Sequence, residues 1–317
     1  MASNKVLVLY GPTGSGKTAL IERTFLERPE PGLRPASVIS ADSMQVYRGM
    51  DLGTAKPSPD LRARLPHALV DIRDPSEGFS AGDFVRLADE ACEAALGSGR
   101  LPVVSGGTGF YIRNFVLGLS AAPEADPAVR EEVLRQLAEE GPTALRAELE
   151  SGDPVSAARI AAADHYRLTR AVEVLRSTGR PLSSFERPAS ARARWDFVLV
   201  ELAVPRAELY ERIDARAGAM FAAGLPAEVE ALVRAGYGPA DPGLKAIGYR
   251  EFLENPRVPD EDEAAWLARV LELVKRDSRR YAKRQLTFFS GLPGATRLES
   301  GDEAAFRALL RERFADA

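Results

Sequence analysis

Eight residues near the start of the chain restrict its possible folds more than any other stretch. Gly11, Pro12, Thr13, Gly14, Ser15, Gly16, Lys17 and Thr18 follow the apolar run Val6-Leu7-Val8-Leu9-Tyr10 and precede a segment of helical periodicity. The spacing is G-x-x-x-x-G-K-[ST]. Successive backbone N–H groups of such a loop cradle an anion, the lysine adds a point charge, and the last hydroxyl can meet a magnesium ion. A strand must deliver the loop and a helix must leave it. All eight residues are therefore candidate phosphate or diphosphate ligands, and Thr18 is the candidate magnesium ligand. The motif does not say which reaction follows.

The rest of the first hundred residues alternates short apolar runs with helical patterns, which predicts a parallel sheet flanked by helices. Strands are expected at 6–10, 37–40, 68–72, 101–105 and 196–204, and helices at 18–26 and 81–96. Between about 119 and 194 strand signals vanish. Helical spacing appears instead at Val129, Val133, Leu134 and Leu137 and at Leu168, Val172 and Leu175, punctuated by Gly, Pro and Asp. Further helices are expected at 207–223, 227–235, 261–290 and 303–314. The organisation read from this is a P-loop NTPase-like α/β core made of 1–118 and 195–317, with a small all-helical insertion domain at 119–194.

Composition narrows the partners. The chain has 317 residues, with 42 basic and 46 acidic side chains and a net charge of −4. That balance excludes a uniformly basic nucleic-acid coat but leaves room for a local basic groove. A single cysteine, Cys92, rules out an internal disulfide and argues against a zinc cluster. His67 and His165 stand far apart, and His67 reads as structural. No apolar run reaches the ~18 residues of a membrane span. The first strand begins almost at once, so a cytoplasmic protein is expected.

Two further features lie near the phosphate loop. The run Leu101-Pro102-Val103-Val104 ends in Ser105-Gly106-Gly107-Thr108-Gly109, a second small-residue turn offering the Thr108 hydroxyl. No acidic residue clearly closes a long apolar strand to share magnesium, as NTPases require. No Asp-Asp-x-x-Asp cluster of the terpenoid prenyl transferases occurs either. Asp42 falls two residues beyond the second strand, at the carboxyl edge where open α/β sheets bind ligands. Alone, it reads equally as a turn-capping residue or as a catalytic carboxylate.

The segments GPTGSGKT, SADSMQVYRGMDLGTAKP, DIRDP, VVSGGTGFYIRNFVLGL, LKAIGYREF and AKRQLTFF occur in this order. Together they resemble the tRNA dimethylallyltransferase family over nearly the whole chain. That resemblance implies transfer of the dimethylallyl group of dimethylallyl diphosphate to N6 of the adenosine on the 3′ side of the anticodon, with Mg2+ as cofactor. The loop then holds a diphosphate leaving group. Asp42 is implied as the base that accepts the amine proton, and Thr108 and Arg216 as further catalytic residues. An exocyclic adenine amine is a poor nucleophile, so a positioned base and a stabilised leaving group are what the chemistry needs.

The resemblance also implies tRNA contacts at Asp42, Ser43, Met44, Gln45, Thr108, Arg130, Tyr166, Arg167, Lys245, Gly248, Tyr249 and Arg250. One departure is visible: the family usually has Gln-Arg where this chain has Tyr166-Arg167. The arginine contact is kept, and amide readout gives way to a ring able to stack. On the expected long helix, Lys275, Arg279 and Lys283 are spaced by four, as are Arg276, Arg280 and Arg284. Two adjacent basic stripes form a candidate RNA-backbone track. A monomer acting on the anticodon stem-loop is expected. The competing readings are an adenine-nucleotide isopentenyltransferase acting on free AMP or ATP, a P-loop kinase or NTPase, and an RNA-binding module that senses nucleotide.

Overall fold

The computed structural model describes residues 4–124, 126–186 and 188–314. Six strands form one wholly parallel sheet: β1 (Lys5–Tyr10), β2 (Ala36–Ser40), β3 (His67–Ala68), β4 (Leu101–Gly106), β5 (Asp196–Ala203) and β6 (Thr296–Glu299). Their order is β3-β2-β4-β1-β5-β6, so β1 and its loop lie inside the sheet. Val6 to Tyr10 are fully buried, as a central strand covered on both faces requires.

Helices α1 (Lys17–Glu22), α2 (Pro59–Arg64), α3 (Ala81–Gly97) and α4 (Gly109–Leu117) accompany the first four strands. Ser80 opens α3 with a capping box, its hydroxyl taking the Asp83 amide while the Asp83 carboxylate takes the Ser80 amide. After β5 come α9 (Arg206–Ala222), α10 (Leu225–Arg234), α11 (Arg250–Glu254), α12 (Glu263–Phe289) and α13 (Glu303–Phe314). One core joins Leu7, Leu9 and Val103 of the sheet to Phe306, Leu310 and Phe314 of α13; another packs Tyr47 and Met50 against α10, Tyr249 and α12.

The chain divides into two compact units: Met1–Val116 with Arg192–Ala317, and Leu117–Ala191. The second is built from α5 (Pro127–Glu140), α6 (Pro142–Gly152), α7 (Pro154–Arg159) and α8 (His165–Thr178). Val133, Leu145, Leu149, Leu168 and Val172 form a core of its own. Its helices begin where the sequence supplies caps: Asp126, Asp153 and Asp164 each accept backbone N–H groups ahead of α5, α7 and α8.

Three expectations change. The strand expected at 68–72 shrinks to two residues, because Leu69 and Asp71 take left-handed backbone angles of 61° and 59°. Lys56 and Arg62 grip the Asp71 carboxylate at 2.5 and 2.6 Å and hold that bend. The helix expected at 18–26 ends at Glu22 and continues as a π-turn over Arg23–Glu27. Finally, α2, α4 and the four-residue β6 were not anticipated.

Candidate active site

The sheet order brings the site together. β2, β4 and β1 are adjacent, with Ser40 beside Ser105 and Tyr10 beside Gly106. The turns that leave their carboxyl ends therefore meet: Asp42 after β2, Thr108 after β4 and the phosphate loop after β1. Gly106 makes this closeness possible, since a Cβ there would fall 2.1 Å from the Ala41 carbonyl oxygen. The Thr108 amide then donates to that same carbonyl at 3.1 Å.

Within the loop, Gly16 takes a left-handed φ of 84°, a conformation glycine adopts without strain. The Lys17 ammonium donates to the Gly11 and Pro12 carbonyls, both at 2.9 Å, and to Ser15 Oγ at 3.2 Å. Burial and the nearby Arg216 guanidinium lower its pKa to about 7, while Asp42 pulls the other way. Arg216 reaches in from α9, with Nη1 3.5 Å from Thr13 Oγ1. Burial lowers its pKa as well, opposed by Asp42. Two cations thus share a poorly solvated space with one carboxylate, an arrangement that a bound anion relieves. Thr18 is exposed, and its hydroxyl has no partner among the described residues.

Asp42 is half-buried. Its Oδ1 accepts the Met44 amide at 2.9 Å, and its Oδ2 has no hydrogen-bond donor among the described residues. Thr108 Oγ1 accepts the Ser43 amide at 3.0 Å and donates to Ser43 Oγ at 3.4 Å, so the turn bearing Thr108 is tied to the residue that follows Asp42. A cavity of about 280 Å³ runs past Thr13, Asp42, Ser43, Met44 and Arg216 to Lys245, Gly248, Arg250, Tyr281 and Arg284. The Tyr281 hydroxyl is pushed up to about 12, chiefly by burial and then by Asp42.

Several candidate residues serve the wall of this cavity rather than its interior. Tyr249 is fully buried; its hydroxyl donates to Glu228 Oε1 at 2.6 Å and accepts the Gly53 amide at 3.1 Å. In this structure its side chain faces the interior. Glu228, which carried no sequence signal, also gathers the Asp51 and Leu52 amides. Gln45 is saturated internally, accepting from Ser40 Oγ at 2.8 Å and donating to the Thr54 and Ala55 carbonyls at 3.2 Å. Gly248 donates to Glu251, and Arg250 is held by Glu251 and Asp277.

The basic stripes of α12 are unequal. Arg279 is bidentate to Asp214, with both distances 2.6 Å, and Lys275 is paired with Glu272 at 2.7 Å. Their charge is spent within the fold. Lys283 and Arg284 make no ion pair among the described residues. With Arg113, Arg280, Thr287 and Phe288 they line a second, open cavity of about 690 Å³. Arg284 borders both cavities and lies over the Tyr281 ring at 5.6 Å. Arg113, on the unanticipated α4, completes this basic surface. In the helical unit, Arg130 and Arg167 are exposed, and Tyr166 is 77% exposed at the first turn of α8.

His67 bonds the Leu65 carbonyl through Nδ1 at 2.7 Å, and Cys92 is fully buried. Among the described residues, no helix is long and apolar enough to cross a membrane.

The model of the IPP transferase family matches residues 45–291. A tRNA dimethylallyltransferase 2 of Geotalea uraniireducens is 43% identical over 290 residues, covering 90% of this chain and 89% of the relative. The crystal structure of the full-length tRNA isopentenylpyrophosphate transferase of Bacillus halodurans superposes with a TM-score of 0.66 at 32% identity, covering 98% of this chain and 97% of that one. A eukaryotic dimethylallyltransferase acting on tRNA shares the fold, with a TM-score of 0.77 at 24% identity over 98% of this chain and 79% of its own. The relatives match over most of their length, and the family model spans Thr108, Arg216 and α12. The chain belongs to the IPP transferase family.

Proposed function

We propose that this chain transfers the dimethylallyl group from dimethylallyl diphosphate to N6 of the adenosine 3′-adjacent to the anticodon in tRNA. The observation that carries this reading is the single cavity joining a phosphate loop to a half-buried carboxylate with one free oxygen.

The diphosphate lies in the loop amides beside Lys17 and Arg216, with its allylic carbon toward Asp42. The adenine enters after leaving its stack, as an enclosed site requires. The N6 lone pair forms the new C–N bond, the C–O bond to diphosphate breaks, and the N6 proton passes to Asp42 Oδ2. Lys17 and Arg216 take up the charge that develops on the leaving oxygen. Thr18, with its hydroxyl unpartnered, would hold magnesium, which when bound adds to that charge neutralisation. Thr108 keeps Ser43 and hence Asp42 in place. Arg113, Arg280, Lys283 and Arg284 follow the RNA backbone, and Phe288 offers a stacking face. Arg130, Tyr166 and Arg167 are further RNA contacts of the helical unit. We read the enzyme as a cytoplasmic monomer.

Incubation with labelled dimethylallyl diphosphate and either an anticodon stem-loop or AMP tests the reading. Label in the stem-loop is expected. Label in AMP alone would indicate an adenine-nucleotide enzyme, and phosphate release from ATP without prenyl transfer would indicate an NTPase.

A further inference from the structure

Gln285 takes no part in the steps above, yet its side chain spans the two turns on which they depend. α12 carries it into the interior, where it is 5% exposed. Its Oε1 accepts the Thr13 amide of the phosphate loop at 2.9 Å. Its Nε2 donates to the Gly107 carbonyl, in the turn that bears Thr108, at 2.7 Å. A Cβ on residue 107 would stand 2.4 Å from Nε2, so the amide fits only against a glycine. One turn earlier on α12, Tyr281 lines the cavity shared with Thr13 and Asp42.

No backbone hydrogen bond joins residues 11–16 to residues 107–109 among the described residues. β1 and β4 are in register as far as Tyr10 and Gly106, and beyond that point the two turns are bridged by this amide. An amide serves both partners whatever the pH, because one needs an acceptor and the other a donor on the same planar group.

We propose that Gln285 is a positioning residue: it sets the separation between the phosphate loop and the Thr108–Asp42 turn, and so between departing diphosphate and attacking amine. This rests on the reaction proposed above. Misplacement of reacting groups by ~1 Å costs on the order of 100-fold in rate. Gln285→Met, which keeps the volume and removes both hydrogen bonds, should lower kcat by about that factor. KM for both substrates should stay within about threefold, since Gln285 touches neither.

Gln285→Glu gives a signature that a general packing role would not. Protonated, the carboxyl still accepts from Thr13 and donates to Gly107; ionised, it sets an oxygen against the Gly107 carbonyl. The charged and titratable groups of the cavity that Thr13 lines are Asp42, Arg216 of α9, and Tyr281 and Arg284 of α12 among others, with Lys17 of the loop beside Arg216 and Asp42. These titrate in the wild-type protein too, so the quantity to read is the ratio of variant to wild-type kcat at each pH.

That ratio should rise about tenfold or more as pH falls from about 8.5 to about 6, following protonation of the buried carboxyl. A ratio flat across this range, or a Gln285→Met protein with wild-type kcat, would overturn the role. Thermal melts show whether each variant is folded; if Gln285→Met is not, the pH ratio of Gln285→Glu decides. Wild-type turnover on the stem-loop runs alongside. Its absence would overturn the reaction itself, whereas normal wild-type turnover with a flat ratio would overturn only the assignment to Gln285.

Discussion

At Asp42 one carboxylate oxygen is held by the Met44 amide while the other has no donor among the described residues, so the group is fixed in direction and still able to receive a proton. Asn at this position keeps the Met44 contact and loses the basicity. Asp42→Asn should therefore reduce kcat by about 10²–10⁴-fold with little change in tRNA affinity, measured by single-turnover kinetics beside equilibrium binding. Lys17 makes a pH prediction. Burial and Arg216 hold its pKa near 7 in the free protein, and a bound diphosphate raises it. Above that pH, binding must take up a proton, so affinity for dimethylallyl diphosphate should fall as pH rises. Calorimetry in buffers of different ionisation enthalpy, corrected for the ligand's own titration, should show net uptake near pH 8; no uptake would contradict it. The phosphate loop was legible from its spacing after the apolar run Val6–Tyr10, whereas Asp42 alone read equally as a cap and gained its role only from the resemblance. Gln285 and Glu228 were not legible, because the backbone groups they hold lie more than a hundred positions away.

Among the elements, α12 has two functions along its length. Its first basic residues are tied to Glu272, Asp214 and Asp277, and its last ones, Lys283 and Arg284, border the open basic cavity. Lys283→Ala and Arg113→Ala should each weaken tRNA binding and reduce the slope of log affinity against log salt by about one. Arg279→Ala should leave that slope unchanged and cost no more than about 1 kcal/mol of stability, as its ion pair with Asp214 is partly solvated. Filter binding across a salt series separates the two outcomes. Period alone could not have divided this helix, since all six basic residues share the same spacing and differ only in their neighbours from other elements. The same holds for α4, whose Tyr111, Ile112, Phe115 and Val116 are buried together, leaving little amphipathic contrast after a glycine-rich turn. It holds also for β6, whose four residues are mostly exposed. Tyr249→Phe removes the hydroxyl shared by Glu228 and Gly53 and should cost about 1–2 kcal/mol in chemical denaturation.

For the molecule as a whole, the chain folds as two units with separate cores. The helical unit, Leu117–Ala191, was legible as a loss of strand signal followed by helical spacing, because each of its helices must bury one face. Leu149→Ala opens a fully buried site there and should cost about 2–5 kcal/mol. The most direct test of the central claim is mass spectrometry of an anticodon stem-loop after reaction with dimethylallyl diphosphate, comparing the wild-type protein with Asp42→Asn. The account predicts one dimethylallyl group on N6 of the adenosine 3′ to the anticodon with the wild-type protein and almost none with the variant. Modification at another position, or equal modification by both proteins, would contradict it.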